Sequence, residues 1–406
     1  MSNIIFSQNK IGRFISRFDP GIWLVSLINL LLAIGFSICI PFLALYLHQS
    51  RGLPMALVGV IILISGLSSA GFELIGGELC DRLGRRPLVL FSAVSRSIVY
   101  VIMAFLVNYS APIWSIALAY IASQAIGSIG KPATQAMITD LAPPQRLTES
   151  FGILRIGINV GWAAGPAIGG YLAAFMSYGW LFGVAAAISI LTVFVAIFLK
   201  ESITQKNQRT DFKGLLNVTR NLRFMLFIFF NLLLFTAMGQ MMSTLSIYIV
   251  DRVGYTTAQY GLLLTVNGLM VIILQYPIAR YIDRLSRSRI IILGCVLYAF
   301  GYLLYGWVGP YALAVVAMII VTFGEITFAP AAMSVVAEIA PRGQKGRYMG
   351  FFGLNQVVGI SIAPLFGGIL LDMFLTNHLA IWASIAVMGF LGAAAFFWWA
   401  RHYKVY

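Results

Sequence analysis

The run IWLVSLINLLLAIGFSICIPFLALYL (residues 22–47) decides the fold, because about 25 residues pass without one Asp, Glu, Lys or Arg. A helix crossing the hydrocarbon core of a bilayer needs about 20 mainly apolar residues. The run meets that length and lacks the small-residue pattern of a signal-peptide cleavage site, so it is expected to remain as a spanning helix. Further stretches of the same kind follow at 56–79, 86–107, 112–139, 151–175 and 178–199. A second set lies at 223–249, 258–281, 288–308, 311–338, 349–373 and 378–400. Of the 406 residues 60% are hydrophobic and 10% charged, too apolar for a water-soluble domain of this length. The expected class is all-α integral membrane, with twelve transmembrane helices in the lipid bilayer.

A net charge of +14 is compatible with a nucleic-acid binder, but the placement of the basic residues argues against one. They recur wherever alternate helices end: Lys10, Arg13 and Arg17, then Arg82, Arg85 and Arg86, then Arg146 and the 200–223 segment. Arg284, Arg287, Arg289, Arg342, Lys345, Arg347, Arg401 and Lys404 continue the series, while the opposite loops hold only Arg51 and Arg252. The positive-inside rule then puts both termini in the cytoplasm of a multi-pass protein of the inner (cytoplasmic) membrane. Cys39, Cys80 and Cys295 have no metal-ligand spacing, and His48, His378 and His402 sit near helix ends, so no metal and no cofactor is expected.

The chain is written twice. Asn29 and Asn231, Tyr46 and Tyr248, Gly59 and Gly261, Gly66 and Gly268, and Asp81 and Asp283 are each 202 residues apart. From Pro132 and Pro330 onward the offset is 198, as in Ala142 and Ala340, Gly152 and Gly350, Pro166 and Pro364, and Gly169 and Gly367. A shortened loop accounts for the change. Repeats of this kind characterise transporters that alternate access to a midplane site between two halves. The expected organisation is an N-terminal six-helix bundle (1–199), a basic cytoplasmic linker (200–222) and a C-terminal six-helix bundle (223–406). The linker's DFKGLLNVTRNLRF stretch has the character of a short amphipathic interfacial helix.

Between the second and third helices stand Gly77, Glu78, Leu79, Cys80, Asp81, Arg82, Leu83, Gly84, Arg85 and Arg86. This closely resembles the signature of the major facilitator superfamily, and a degraded copy, Asp283, Arg284, Leu285, Ser286 and Arg287, occupies the matching loop. Gly77 allows close helix approach, and Asp81 is placed to face a neighbouring helix N-terminus and pair with Arg85, bracing a cytoplasmic gate. The alternative is that the arginines only anchor the loop. In the fifth helix GWAAGPAIGG contains Gly161, Gly165, Pro166, Gly169 and Gly170 and resembles the antiporter motif of the superfamily's drug:proton exporters. Its glycines make a flat packing face, and Pro166 removes a backbone hydrogen bond where the helix can bend. The resemblance also implies an arginine before a glycine in the fourth helix. Here Ser123 stands at that place before Gly127, so the protein either uses another group, with Lys131 as one candidate substitute, or is not proton-coupled.

A charge at the bilayer centre costs at least about 2.5–3.5 kcal/mol, so each one needs a partner or a task. Glu73 and Arg96 flank the second hairpin at nearly equal sequence distances, which predicts an ion pair at one depth. Their copies, Gln275 and Tyr298, form a neutral couple, which favours an architectural role over a titrating one. Glu325 in the tenth helix has Gly127 as its copy and is the preferred proton site, with Lys131 about one helical turn, ~5.4 Å, from the matching level. Burial disfavours the charged carboxylate and a nearby lysine favours it, so changing access would load and release a proton. The bland reading of Glu325 is helix packing.

Asn29 and Asn231 are expected at equivalent points, which the resemblance implies face the cavity, with an interhelical hydrogen bond as the alternative; Gln124, Asn159 and Gln240 are further lining candidates. Phe235, Met238, Met241 and Met242 offer an adaptable apolar surface, though such residues also serve plain packing. Arg155, near the cytoplasmic end of the fifth helix, is expected to snorkel or to pair with Glu149 or Asp140. No nucleophile with its base and no phosphate-binding loop is present, so an enzyme is not expected. The leading expectation is a monomeric transporter that exports small lipophilic or drug-like compounds against protons. A carrier of one metabolite (sugar, peptide or organic anion) and a lipid flippase remain open.

Overall fold

The computed structural model describes residues 15–143, 146–202, 218–282, 285–341 and 345–403, with residues 81, 147–148, 276, 279–282 and 345–346 described by their backbone only. Among these residues there are helices and turns but no strand. Twelve helices are long and apolar enough to cross a membrane. The first set is α1 Pro20–Ser50, α2 Met55–Cys80, α3 Arg85–Asn108, α4 Ile113–Leu141, α5 Glu149–Phe175 and α6 Tyr178–Ile197. The second set is α7 Leu222–Arg252, α8 Thr257–Gln275, α9 Arg287–Trp307, α10 Tyr311–Ile339, α11 Arg347–Met373 and α12 His378–His402. An even number of crossings brings the first and last helix ends to one side, the terminal face.

Local chemistry repeats along with the sequence. The Asp19 carboxylate accepts from the Gly21 amide at 2.7 Å, with Pro20 opening α1 where a missing N–H is harmless. Asn221, its copy, accepts from the Phe224 amide at 3.1 Å and opens α7. Both helices end in a π turn, Tyr46–Ser50 and Tyr248–Arg252. Helix α4 breaks at Ile129, between segments Ile113–Ser128 and Gly130–Leu141. Pro132 offers no N–H to the Ser128 carbonyl, which permits the break.

Within the first set, α1 packs on α5 and α6, α2 on α4, and α3 on α6. The second set copies this, with α7 on α11, α8 on α10 and α9 on α12. The sets join through α2 on α11 and α5 on α8. These joints also repeat: a Cβ on Gly261 would stand 2.4 Å from the Pro166 carbonyl oxygen, and one on Gly59 would stand 2.5 Å from that of Pro364. Only glycine lets the backbones meet so closely.

The halves touch at the face opposite the termini. There Asp372 at the end of α11 accepts from the Met55 and Ala56 amides, and His48 of α1 faces Asp251 of α7 at 3.5 Å. Thr257 of α8 donates to the Gly170 carbonyl of α5 at 3.1 Å. Toward the terminal face contact is lost: nothing lies within 4 Å of where a side chain would begin on Gly71 and Gly77 of α2 or Gly350 and Gly353 of α11. The expected interfacial helix of the linker lies largely outside the described residues, and Val218–Arg220 is a single 3-10 turn leading into α7.

Candidate functional site

A cavity of about 390 Å³ lies between the halves. Leu32, Phe36, Trp162, Met242 and Ile360 form apolar walls, and Phe36 meets Trp162 edge to face at 5.4 Å. Its polar side comes from the first half, where Ser65, Arg96 and Gln124 reach the wall.

Of the residues expected at the cavity, Asn29, Gln124, Lys131 and Met242 line it. Asn29 ties its amide to the Val25 carbonyl at 2.9 Å, and Gln124 is buried with no hydrogen-bond partner for Nε2 among the described residues. The copy of Asn29 behaves differently: Asn231 is fully buried outside the cavity wall and donates to the Phe227 carbonyl at 2.6 Å. Gln240 is also a packing residue. It donates at 3.1 Å to the carbonyls of Thr236 and Ala363 and accepts from Thr244, which braces α7 against α11. Phe235 is buried against Phe328 and Phe352, and Met238, Met241 and Asn159 likewise stand off the wall. The rotation of α7 about its axis explains these departures, since it turns Asn231, Phe235 and Gln240 toward its neighbours.

The expected Glu73–Arg96 ion pair does not form. Glu73 of α2 pairs instead with Lys131 of α4 at 3.1 Å. Equal sequence distance from a hairpin leaves azimuth free, and Arg96 turns toward α4. There its guanidinium fills the room left by Gly127, where a Cβ would stand 2.1 Å from Arg96 Nη2. The expected meeting of Lys131 with Glu325 fails for the same reason, since Lys131 is engaged with Glu73.

Glu325 sits halfway along α10 and accepts from Asn267 Nδ2 of α8 at 3.0 Å. The same amide donates to Thr322 Oγ1 at 3.0 Å, one turn before Glu325. Arg155 of α5 is exposed and, among the described residues, forms no ion pair with Glu149 or Asp140, the latter being taken by Arg85. Sequence reading missed Asn267 and Thr322. The repeat contained the signal, because their copies are Ser65 and Gln124, both on the cavity wall.

The α2–α3 loop is tied within the first half. Arg85 pairs with Asp140 of α4 at 3.2 Å and donates to the Cys80 carbonyl at 3.0 Å. The Glu201 carboxylate accepts from the backbone amides of Arg85 and Arg86, and Arg86 reaches the Ile197 carbonyl at 3.0 Å. Gly84 turns the chain with φ 104°, and Arg82 pairs with Glu78 one turn before it. The Asp81 side chain, Asp283 and Arg284 lie outside the described residues. In α5, Gly161, Gly165 and Gly169 press on α1 while Gly170 presses on α8, so one motif joins a packing face to an inter-half face.

The profile of the Major Facilitator Superfamily matches residues 25–259 and 228–405. A Na(+), Li(+), K(+)/H(+) antiporter of Planococcus maritimus is 24% identical over 367 residues, covering 82% of this chain and 85% of that protein. Multidrug resistance protein MdtH of Cronobacter sakazakii is 24% identical over 375 residues, covering 91% and 92%. Among solved structures, a POT family transporter in complex with a thioalcohol-conjugated peptide superposes with a TM-score of 0.78 at 13% identity. That likeness covers 94% of this chain and 96% of the other.

Proposed function

The chain belongs to the Major Facilitator Superfamily, a family of transporters and not of enzymes, and from that premise we propose that it exports small lipophilic or drug-like compounds in exchange for protons. The observation that carries the reading is Glu325, a carboxylate halfway along a helix long and apolar enough to cross a membrane, held by Asn267 beside halves that part toward one face only. An intramembrane carboxylate is by default a functional group, and a change of access would alter its hold on a proton. The helix of the antiporter-like motif, α5, packs on α8, which carries Asn267, so movement of α5 against α8 would alter the hold on Glu325. The proton exchange named for the Planococcus relative and the drug resistance named for MdtH lend support.

In this reading the basic terminal face is cytoplasmic, the protein is a monomer in the inner membrane, and the described arrangement opens to the cytoplasm. Bundles 1–199 and 223–406 rock about the α2–α11 and α5–α8 joints, with 200–222 as their tether. The loop around Gly77, Asp81 and Arg85, with Asp283 and Arg284 in the copy, would close the cytoplasmic side. Purified protein in liposomes under an imposed pH gradient tests the reading: accumulation of lipophilic compounds that collapses with a protonophore supports it, and gradient-independent movement refutes it.

A further inference from the structure

Arg96 is halfway along α3, 8% exposed, and on the cavity wall. Among the described residues no carboxylate pairs with it, and its Nε has no hydrogen-bond acceptor. Its expected partner, Glu73, is taken by Lys131. An unpaired guanidinium within a membrane protein is costly and calls for a task. Its seat is built: Gly127 removes a Cβ that would stand 2.1 Å from Arg96 Nη2. Gln124, one turn earlier on α4 and also 8% exposed, leaves its amide Nε2 without an acceptor on the same wall. Two donors without acceptors fit a head group that only accepts.

Resting on the export reading, we propose that the cavity takes amphiphilic monoanions, with the anionic head on Arg96 and Gln124 and the apolar body against Phe36, Trp162 and Met242. A lipophilic cation would have to bury its charge beside the guanidinium and is disfavoured. The second half supplies no competing cation at the equivalent place, since the copies of Arg96 and Gly127 are Tyr298 and Glu325. The repeat thus holds an anion-binding cluster in one half and a carboxylate with Asn267 in the other.

The test is equilibrium dialysis of 2-naphthoate, 2-naphthylmethylammonium and 2-naphthylmethanol with the purified protein in phosphatidylcholine nanodiscs. Naphthoate is expected to bind at least about tenfold tighter than the ammonium probe, as charge-assisted hydrogen bonds require. Arg96→Gln should reduce it to the level of the alcohol, whose unchanged binding shows that the cavity is intact. Unchanged naphthoate affinity in that variant, or a wild-type preference for the ammonium probe, would overturn the proposal. If Arg96→Gln does not fold, Arg96→Lys decides: a retained anion preference supports the site, and its loss overturns it. Displacement of naphthoate by phosphatidylglycerol would reassign the guanidinium to a lipid headgroup and also overturn the proposal. Anion-selective binding without transport in liposomes would remove the export reading and leave the site. Export of neutral or cationic compounds with no Arg96-dependent anion preference would do the reverse.

Discussion

Asp372 accepts the amide protons of Met55 and Ala56 at 3.2 and 2.9 Å, so a carboxylate of the second half caps the first turn of α2 in the first half. The contact joins the two halves at the face opposite the termini. Removing a carboxylate cap costs about 0.5–2 kcal/mol, or about two- to thirtyfold in an equilibrium. Asp372→Ala should therefore shift the population toward opening at that face. Spin labels at Tyr109 and Leu375, both exposed loop residues there, should show an added longer distance in the variant.

Arg85 and Asp140 are copied by Arg287 and Glu338 at the repeat's own offsets of 202 and 198. The two pairs differ in exposure: side chains of the first are 13% and 24% exposed, those of the second 46% and 54%. Exposed pairs contribute about 0–1 kcal/mol, whereas hydrogen bonds to charged groups with less water contribute about 1.5–3 kcal/mol. Arg85→Ala should lower the thermal midpoint by several degrees more than Arg287→Ala, as read from the loss of the monodisperse peak on heating.

A side chain at Gly165 would begin 1.8 Å from Ser37 Oγ, where α5 crosses α1. Overpacking of this kind costs about 1–3 kcal/mol. Gly165→Ala should reduce thermal stability, and Ser37→Gly in the same chain should restore much of it. Equal stability of the single and double variants would contradict the contact.

The Glu73–Lys131 pair is partly solvated, at 32% and 52% side-chain exposure. Glu73→Gln is expected to change stability by less than about 1 kcal/mol. It should also leave proton-coupled transport in place, because Glu73 is held in an ion pair with Lys131 and the proton site of this account is Glu325. Loss of coupling in this variant, with folding intact, would move the proton site from α10 to α2.

The fold was legible because two independent signals agreed: the spacing of apolar runs and the constant repeat offset. The run at 22–47 became α1, extended to Pro20–Ser50 by the Asp19 cap and the π turn. The direction of the site's side chains was not legible. Hairpin counting predicted one level for Glu73 and Arg96, yet which helix each side chain faces depends on rotation, and that follows from packing around Gly127 and Lys131. The same limit separates Asn29, on the cavity wall, from its copy Asn231, which is held by the Phe227 carbonyl. The Asn267–Glu325 contact escaped notice because Asn267 has no charge, although its copy Ser65 marks the level.

The most direct test of proton-coupled export is proton movement by wild type and Glu325→Gln in liposomes, with an external pH electrode and a panel of lipophilic compounds added under an imposed gradient. Substrate-dependent proton flux in wild type, absent in a folded Glu325→Gln that still binds substrate, is the predicted result. Undiminished coupling in the variant would remove Glu325 from the mechanism, and substrate movement without any proton flux in wild type would contradict proton-coupled export itself.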